Sequence, residues 1–497
     1  MKSREILSEN KNSVWLASRY IMLLVSSLLI YKINIDQYGS GIIGAWFLVF
    51  SIWTFGNAID LGMGTAIVKY TAEYVNSRNS VIKYFLTSSF YAFILLGSVL
   101  TLIIYFVGLL FILNSTNIFS KVDVRVFRYV FIILGLSFTV KYITVFFRSV
   151  LEGMNEFVVA SKIEIISSLI LLIFITINSL LGLSIRYLAD IYLVQSFLIL
   201  FTYIYIFLAR YKLNVFNFIN FRYSSLKTIF SYSLHIQAVN LLGGLIDPII
   251  KFLFGGYLGL DSVTYYEVGK RFAGSVTGLF LTTFRTILPK ASILTGLHEQ
   301  RIFLEENAVR YIKFGVLFTI VIFGVLSVII VLFIKTFYGH INYVYVYLLL
   351  SLTESLTIFG STLYIFIMGI GKGRLLAMLQ VMNIVLISSS LLICLILFKD
   401  TIGLIGYSLT VLIGDIVLLL YIRKKYSIRI KKFLLDVNII KFAVFMALMS
   451  FVIGIIYYLD WNVYLTLSAF SVVSFIMIIR EAKEFVLAVI KSKKVML

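Results

Sequence analysis

The sequence predicts an all-α polytopic membrane protein of about fourteen transmembrane helices, arranged as two parallel-repeat six-helix bundles plus an appended helix pair. Hydrophobic residues make up 61% of the 497 positions and charged residues 13%, with a mean hydropathy of +1.02. A soluble globule holds roughly 45–50% apolar residues. The apolar residues are gathered into runs long enough to cross about 30 Å of hydrocarbon at about 1.5 Å of rise per residue. Lysine and arginine collect on one side of those runs, so the formal charge of +20 reads as membrane orientation and not as a nucleic-acid footprint.

In chain order the runs are 12–33, 41–60, 81–113, 126–150, 157–181, 185–209, 229–255, 263–288, 308–335, 341–369, 374–398, 402–422, 438–459 and 462–480. The first follows Lys2, Arg4 and Lys11 like a signal sequence, but no small-residue cleavage site comes after it, so it reads as a retained helix. The third is overlong, which tilt or an extended helix end absorbs; splitting it in two inverts every later loop. With the third run whole, and bases toward the run ends counted with the adjoining tail or loop, 32 of the 43 Lys and Arg fall in the N-terminal tail, alternate loops and C-terminal tail, seven on the other side and four (Lys141, Lys251, Lys270 and Arg271) deep within spans. That asymmetry predicts both termini in the cytoplasm. Outer loops are short, which leaves no room for an extracytoplasmic catalytic domain.

Chemistry-bearing motifs are sparse. The single cysteine, Cys394, excludes a disulfide framework and a thiolate cluster. His235, His298 and His340 have no ligand spacing, so no metal, cofactor or catalytic residue is expected. Gly369-Ile370-Gly371-Lys372-Gly373-Arg374 lacks the Ser or Thr and the preceding strand of a phosphate loop and reads as a tight turn. The cluster around Arg423, Lys424 and Lys425 reads as a topological anchor.

A weak internal repeat organises the chain. Tyr38-Gly39 leads into span 2 as Leu258-Gly259 leads into span 8; Gly153 and Gly182 bracket span 5 as Gly371 and Gly403 bracket span 11. Six spans separate the copies, an even number, so they share one orientation. The expected domains are 1–222 and 223–430, each a six-helix bundle, and 431–497, two further helices with a basic tail.

The spans are not uniformly apolar. Asn240, Gly243, Gly244, Asp247 and Lys251 share one face of span 7, and Glu267, Lys270, Arg271, Gly274, Gly278, Thr282 and Arg285 one face of span 8. A charge near the bilayer centre costs about 2.5–3.5 kcal/mol on insertion scales, so these faces are expected to line something polar. Arg19, Lys141, Arg148, Lys251, Lys270, Arg271 and Arg285 together suit an anionic substrate, and all but Arg148 are taken as substrate-binding candidates. The bland reading pairs Asp247 with Lys251, and Glu267 with Lys270 or Arg271. Seven bases against two carboxylates leaves a positive excess. Asp247, Glu267, Glu354 and Asp415 are the candidates for ion coupling or structural pairing.

Several short motifs, taken in order, resemble the polysaccharide-exporter, or lipid-linked oligosaccharide flippase, branch of the multidrug/oligosaccharidyl-lipid/polysaccharide exporter superfamily. They are Tyr38-Gly39 with Gly44 and Trp46; Asp60-Leu61-Gly62 with Lys69, Tyr70 and Glu73; Leu151-Glu152-Gly153; Asp247 before Gly255 and Leu258-Gly259; Tyr265, Tyr266, Glu267 and Arg271; and Leu288-Pro289-Lys290-Ala291-Ser292. The resemblance covers nearly the whole chain. It implies a multi-pass bacterial inner-membrane protein that moves undecaprenyl-pyrophosphate-linked oligosaccharide outward by alternating access for O-antigen (lipopolysaccharide) or capsule synthesis. Membrane lipids and the pathway's polymerase and chain-length proteins are its expected partners. A multidrug or cation antiporter of the same fold is the first alternative, but it calls for an acidic cavity. A polysaccharide polymerase is the second, and it calls for a long outer loop with catalytic side chains.

Overall fold

The computed structural model describes residues 2–58, 63–76, 82–114, 118–119, 122–211, 215–284, 296–427, 435, 438–458 and 462–495, with backbone alone in 2–13, 224–240, 480–495 and at a few helix ends. Among the described residues there is no strand. The chain separates into two compact units, Met1–Thr264 and Tyr265–Leu497.

The first unit holds α1 (Lys2–Tyr38), α2 (Ser40–Ala58), α3 (Met63–Asn76), α4 (Ile82–Asn114), α5 (Val124–Gly153), α6 (Phe157–Leu180), α7 (Ile185–Ile206), α8 (Tyr223–Tyr257) and the start of α9 (Leu260–Phe284). The overlong third run is one continuous helix, α4. α3 is a helix where the sequence reading had only a basic loop; its alternation of apolar and polar residues is amphipathic and too short to span. α1 packs on α6, α5 packs on α4 and α7, and α8 packs on α2, α3 and α4. These packings put α8 with the first unit, whereas the expected domain limits at 222 and 430 follow the repeat. Pro248 sits inside α8, and the helix continues through it.

The two turns of the repeat are alike in conformation. Gly39 between α1 and α2 has φ +81°, and Gly259 between α8 and α9 has φ +88°, a region where a Cβ meets backbone and glycine is free of that cost. The two turns also meet. Ser40 Oγ hydrogen-bonds Asp261, and Thr264 Oγ1 donates to Ser40 O at 2.7 Å. Gly44, one turn into α2, lies so close to the start of α9 that a Cβ there would stand 2.6 Å from the Leu260 carbonyl carbon.

The second unit continues with α10 (Leu297–Phe303), α11 (Val309–Thr319), α12 (Ser327–Tyr338), α13 (Ile341–Gly369), α14 (Gly373–Phe398), α15 (Ile405–Tyr426), α16 (Ile439–Tyr458) and α17 (Val463–Val495). π turns at Leu304–Ala308 and Ile320–Val325 join α10, α11 and α12. The second π turn faces α17: Gly324 O accepts from Ser327 Oγ at 2.6 Å and Ser471 Oγ at 3.0 Å, which satisfies a carbonyl that the helical ladder leaves open. α13 packs against α11, α12, α15 and α16 and is the most buried helix of the unit.

Ten helices among the described residues are long and apolar enough to cross a membrane, and Ser40–Thr54, Ser327–Tyr338 and Val463–Ile479 are shorter apolar helices. The expected count of fourteen is not reproduced by that measure. α9 has the length, with 25 residues, but Asp261, Glu267, Lys270 and Arg271 load it with charge.

Candidate functional site

α5 carries Lys141, Thr144, Val145 and Arg148 at offsets 0, 3, 4 and 7, one helical face. Opposite it α6 presents Glu164, Ser167 and Ser168, α7 presents Gln195, and α1 presents Leu23. These side chains line a half-open cavity of about 390 Å³. At one end four charges interlock: Arg19 lies 3.4 Å from Glu152 and 3.6 Å from Glu164, and Arg148 lies 3.2 Å from Glu164 and 3.9 Å from Glu152. Two cations against two carboxylates leave that end close to neutral.

Lys141 is different. No carboxylate stands within ion-pair reach of it among the described residues, and its ammonium lies 5.2 Å from the centroid of the Tyr192 ring. Tyr192 itself packs 5.5 Å from Trp46. A cation over an aromatic face gains about 0.5–2 kcal/mol, far less than the cost of taking an ammonium out of water. Gln195 is buried, donates Nε2 to Ser167 Oγ at 2.9 Å, and leaves Oε1 without a hydrogen-bond partner among the described residues. A free cation beside an unfilled acceptor suits a ligand that brings negative charge together with O–H or N–H donors.

The second unit has its own polar cluster. Lys270 Nζ lies 2.9 Å from Glu354 Oε1 across Gly274, with Tyr407 at 5.6 Å. Glu354 is buried on α13. Asp415 on α15 is buried against Gly360 of α13, and its Oδ2 has no hydrogen-bond partner among the described residues. Asn383 of α14 packs on the adjacent Gly414, 3.1 Å from where a Cβ would be.

Of the expected substrate-binding residues, Arg19 and Lys141 thus flank one cavity. Lys251 is buried on α8 and forms a 2.6 Å pair with Asp247, the i,i+4 partner expected for it. Glu267 was expected to pair with Lys270 or Arg271; Lys270 makes a 2.9 Å pair with Glu354. Arg271 and Glu267 sit half-buried on α9. Arg285 lies outside the described residues, as do Asp60 and Pro289 of the quoted motifs. The expected excess of seven bases over two carboxylates shrinks, because Glu152, Glu164 and Glu354 also serve as counter-charges. Gln195, Ser167 and Tyr192 were not singled out from the sequence. Their signal was there: they are polar residues at interior positions of otherwise apolar runs.

The Asp247–Lys251 pair is asymmetric, since the Lys251 side chain is 4% exposed and that of Asp247 36%. Asp247→Asn strips a buried ammonium of that carboxylate, at about 3–5 kcal/mol for a broken buried pair. Lys251→Gln leaves a carboxylate that is already partly exposed. Folded protein measured by size-exclusion chromatography is expected to collapse in Asp247→Asn, fall little in Lys251→Gln, and recover in the double variant. Normal abundance of Asp247→Asn would show that the pair carries no structural weight.

The sequence pattern of the family described as "Polysaccharide biosynthesis protein" matches residues 20–295, more than half of the chain. No curated protein matches the sequence. Among solved structures, the lipid II flippase MurJ in an inward closed conformation aligns with a TM-score of 0.62 at 17% identity, covering 96% of this chain and 99% of its own. An inward-facing multidrug resistance MATE family transporter of the MOP superfamily aligns at 0.61 and 16% identity, over 82% of this chain and 98% of its own. A MOP superfamily transporter from Pyrococcus furiosus, described as having a binding pocket of reverse polarity, aligns at 0.53 and 14% identity over 82% and 95%. Identities this low speak for the fold, and the family match speaks for kinship. The chain belongs to the polysaccharide biosynthesis protein family and is a multi-pass membrane protein on the MOP-superfamily transporter fold.

Proposed function

We propose that this protein is a flippase for undecaprenyl-pyrophosphate-linked oligosaccharide repeat units, working by alternating access in the bacterial inner membrane with both termini cytoplasmic. The units feed surface polysaccharide synthesis, of O-antigen or capsule type, and are handed to a polymerase and chain-length proteins. The protein does no chemistry on the sugar. The observation that carries this reading is Lys141, a half-buried ammonium without a carboxylate partner among the described residues, lining a cavity that also holds an unfilled Gln195 acceptor. A pyrophosphate answers the first and sugar hydroxyls the second. Cationic drugs fit poorly, because Arg19, Arg148 and Lys141 outnumber Glu152 and Glu164 around the cavity.

Among the coupling candidates, Asp247 and Glu354 have basic partners, whereas Asp415 has none among the described residues. A buried carboxyl that is not neutralised by a fixed base is free to take up and release a cation, so Asp415 is assigned the coupling role.

Purified protein in liposomes is expected to move a lipid-pyrophosphate oligosaccharide between leaflets and to leave its mass unchanged. A lengthened glycan or a released carrier lipid would place the protein among the enzymes.

A further inference from the structure

Glu164 divides one carboxylate between two guanidinium groups. Its Oε1 faces Arg148 Nη1 at 3.2 Å and its Oε2 faces Arg19 Nη1 at 3.6 Å, while Glu152 Oε1 faces Arg19 Nη1 at 3.4 Å and Arg148 Nε at 3.9 Å. Strong arginine–carboxylate pairs are forks of two parallel bonds at about 2.7–2.9 Å. Here only Arg19–Glu152 and Arg148–Glu164 meet hydrogen-bond geometry, with one bond apiece. Two buried donors are left over. Arg148 Nε and the Tyr203 hydroxyl have no hydrogen-bond partner among the described residues, and Tyr203 stands among the same four charges. A cluster shaped only to hold α1, α5 and α6 together is expected to close such bonds, because a donor left unmet away from water is costly.

The slack lies where the cavity is. Arg148 and Glu164 line the same half-open space as Lys141, whereas Arg19 and Glu152 stand outside that lining. The Arg148 side chain is 37% exposed and that of Glu164 19%. A phosphate group brings more oxygens than a carboxylate, so it can fork onto a guanidinium and still accept from a further donor. Neither protein charge is stranded by such an exchange. Glu164 keeps Arg19 as a partner, and Glu152 stays within 3.9 Å of Arg148.

We infer that Glu164 is a built-in competitor for the substrate's phosphate: it covers Arg148 in the empty cavity, yields that guanidinium when an anionic head enters beside Lys141, and reclaims it as the head leaves. The inference rests on the functional reading above and adds the residue that sets how tightly the head is held. Glu164 thereby tunes affinity and release without touching the substrate.

Isothermal titration of the full chain in lipid nanodiscs with inorganic pyrophosphate tests the exchange. Glu164→Gln is expected to bind roughly tenfold tighter than wild type. Glu164→Asp keeps the charge but draws it back from Arg148, and is expected to tighten binding by a smaller factor. Glu152→Gln removes the same charge while Glu164 still covers Arg148, so its affinity is expected to move less than that of Glu164→Gln. In a Lys141→Gln background, Glu164→Gln is expected to recover most of the lost affinity, because the uncovered Arg148 replaces the ammonium. In liposomes, Glu164→Gln is expected to slow translocation of a polyprenyl-pyrophosphate oligosaccharide at saturating substrate, since a head held tighter leaves more slowly. Unchanged affinity in Glu164→Gln overturns the exchange, as does equal tightening by Glu152→Gln with Glu164→Asp at the wild-type value, which is the signature of net charge alone. If Glu164→Gln does not accumulate as folded protein, Glu164→Asp decides, and wild-type affinity there overturns the inference. Tighter binding with unslowed translocation overturns the role in release. Equal affinity of wild type and Lys141→Gln removes the cavity reading and the inference with it, whereas weakening by Lys141→Gln beside indifferent Glu164 variants overturns the exchange alone.

Discussion

Glutamine in place of Lys141 is expected to weaken binding of a pyrophosphate headgroup by roughly 10- to 100-fold. A hydrogen bond to a charged partner contributes about 1.5–3 kcal/mol, and each 1.4 kcal/mol is tenfold in affinity. Arg19 and Arg148 cannot make up the loss, because Glu152 and Glu164 already hold them. The sign of the effect on folding separates binding from structure. Lys141 is a cation without a carboxylate among the described residues, so glutamine removes a desolvation cost and folded protein is expected to hold steady or rise. Lys141→Arg keeps the charge and is expected to retain part of the affinity, its broader head being accommodated by a cavity of about 390 Å³. Isothermal titration with a soluble pyrophosphoryl oligosaccharide measures both.

Alanine at Gly44 is expected to lower stability by about 1–3 kcal/mol, the range for forcing an extra carbon into a packed contact. The added Cβ meets the Leu260 carbonyl, and backbone cannot swing aside as a flexible side chain does. Ser40, Asp261 and Thr264 hydrogen-bond across the same crossing, so moving the start of α9 away from Gly44 breaks polar contacts as well. Gly41→Ala, on the same helix, is the control. Its Cβ would stand 3.6 Å from Asp261 Oδ1, an ordinary contact, and alanine favours a helix over glycine by about 1 kcal/mol. A thermal scan of the two variants in detergent is expected to show Gly44→Ala melting well below wild type and Gly41→Ala at or above it. Equal melting of the two variants would mean that the crossing is loosely packed.

Much of the fold is written in local pattern. Apolar runs become long helices because length and composition are local quantities, and the Asp247–Lys251 pair is legible because i and i+4 share a face. The Tyr38-Gly39 and Leu258-Gly259 turns are legible for the same reason: a backbone position at φ near +80° to +90° favours glycine, and both turns hold one there. What hid was contact between distant segments. Arg19 and Glu152 are 133 residues apart, and Lys270 and Glu354 are 84 apart, so counting charges within a span overstated the cationic excess. The Lys141 cavity was half visible. Its base was singled out, but Ser167 and Gln195 look like isolated polar residues until α5, α6 and α7 bring them to one space. α3 was missed because a short amphipathic helix between two spans has the composition of a loop.

The central claim, that a cationic cavity built around Lys141 carries an anionic lipid headgroup, is tested most directly by the rate at which reconstituted protein moves a fluorescent polyprenyl-pyrophosphate oligosaccharide across liposomes, compared among wild type, Lys141→Gln and Lys141→Arg at matched amounts of inserted protein. The expected result is translocation by wild type, partial translocation by Lys141→Arg, and none above protein-free liposomes by Lys141→Gln. Wild-type rates in Lys141→Gln would contradict the claim.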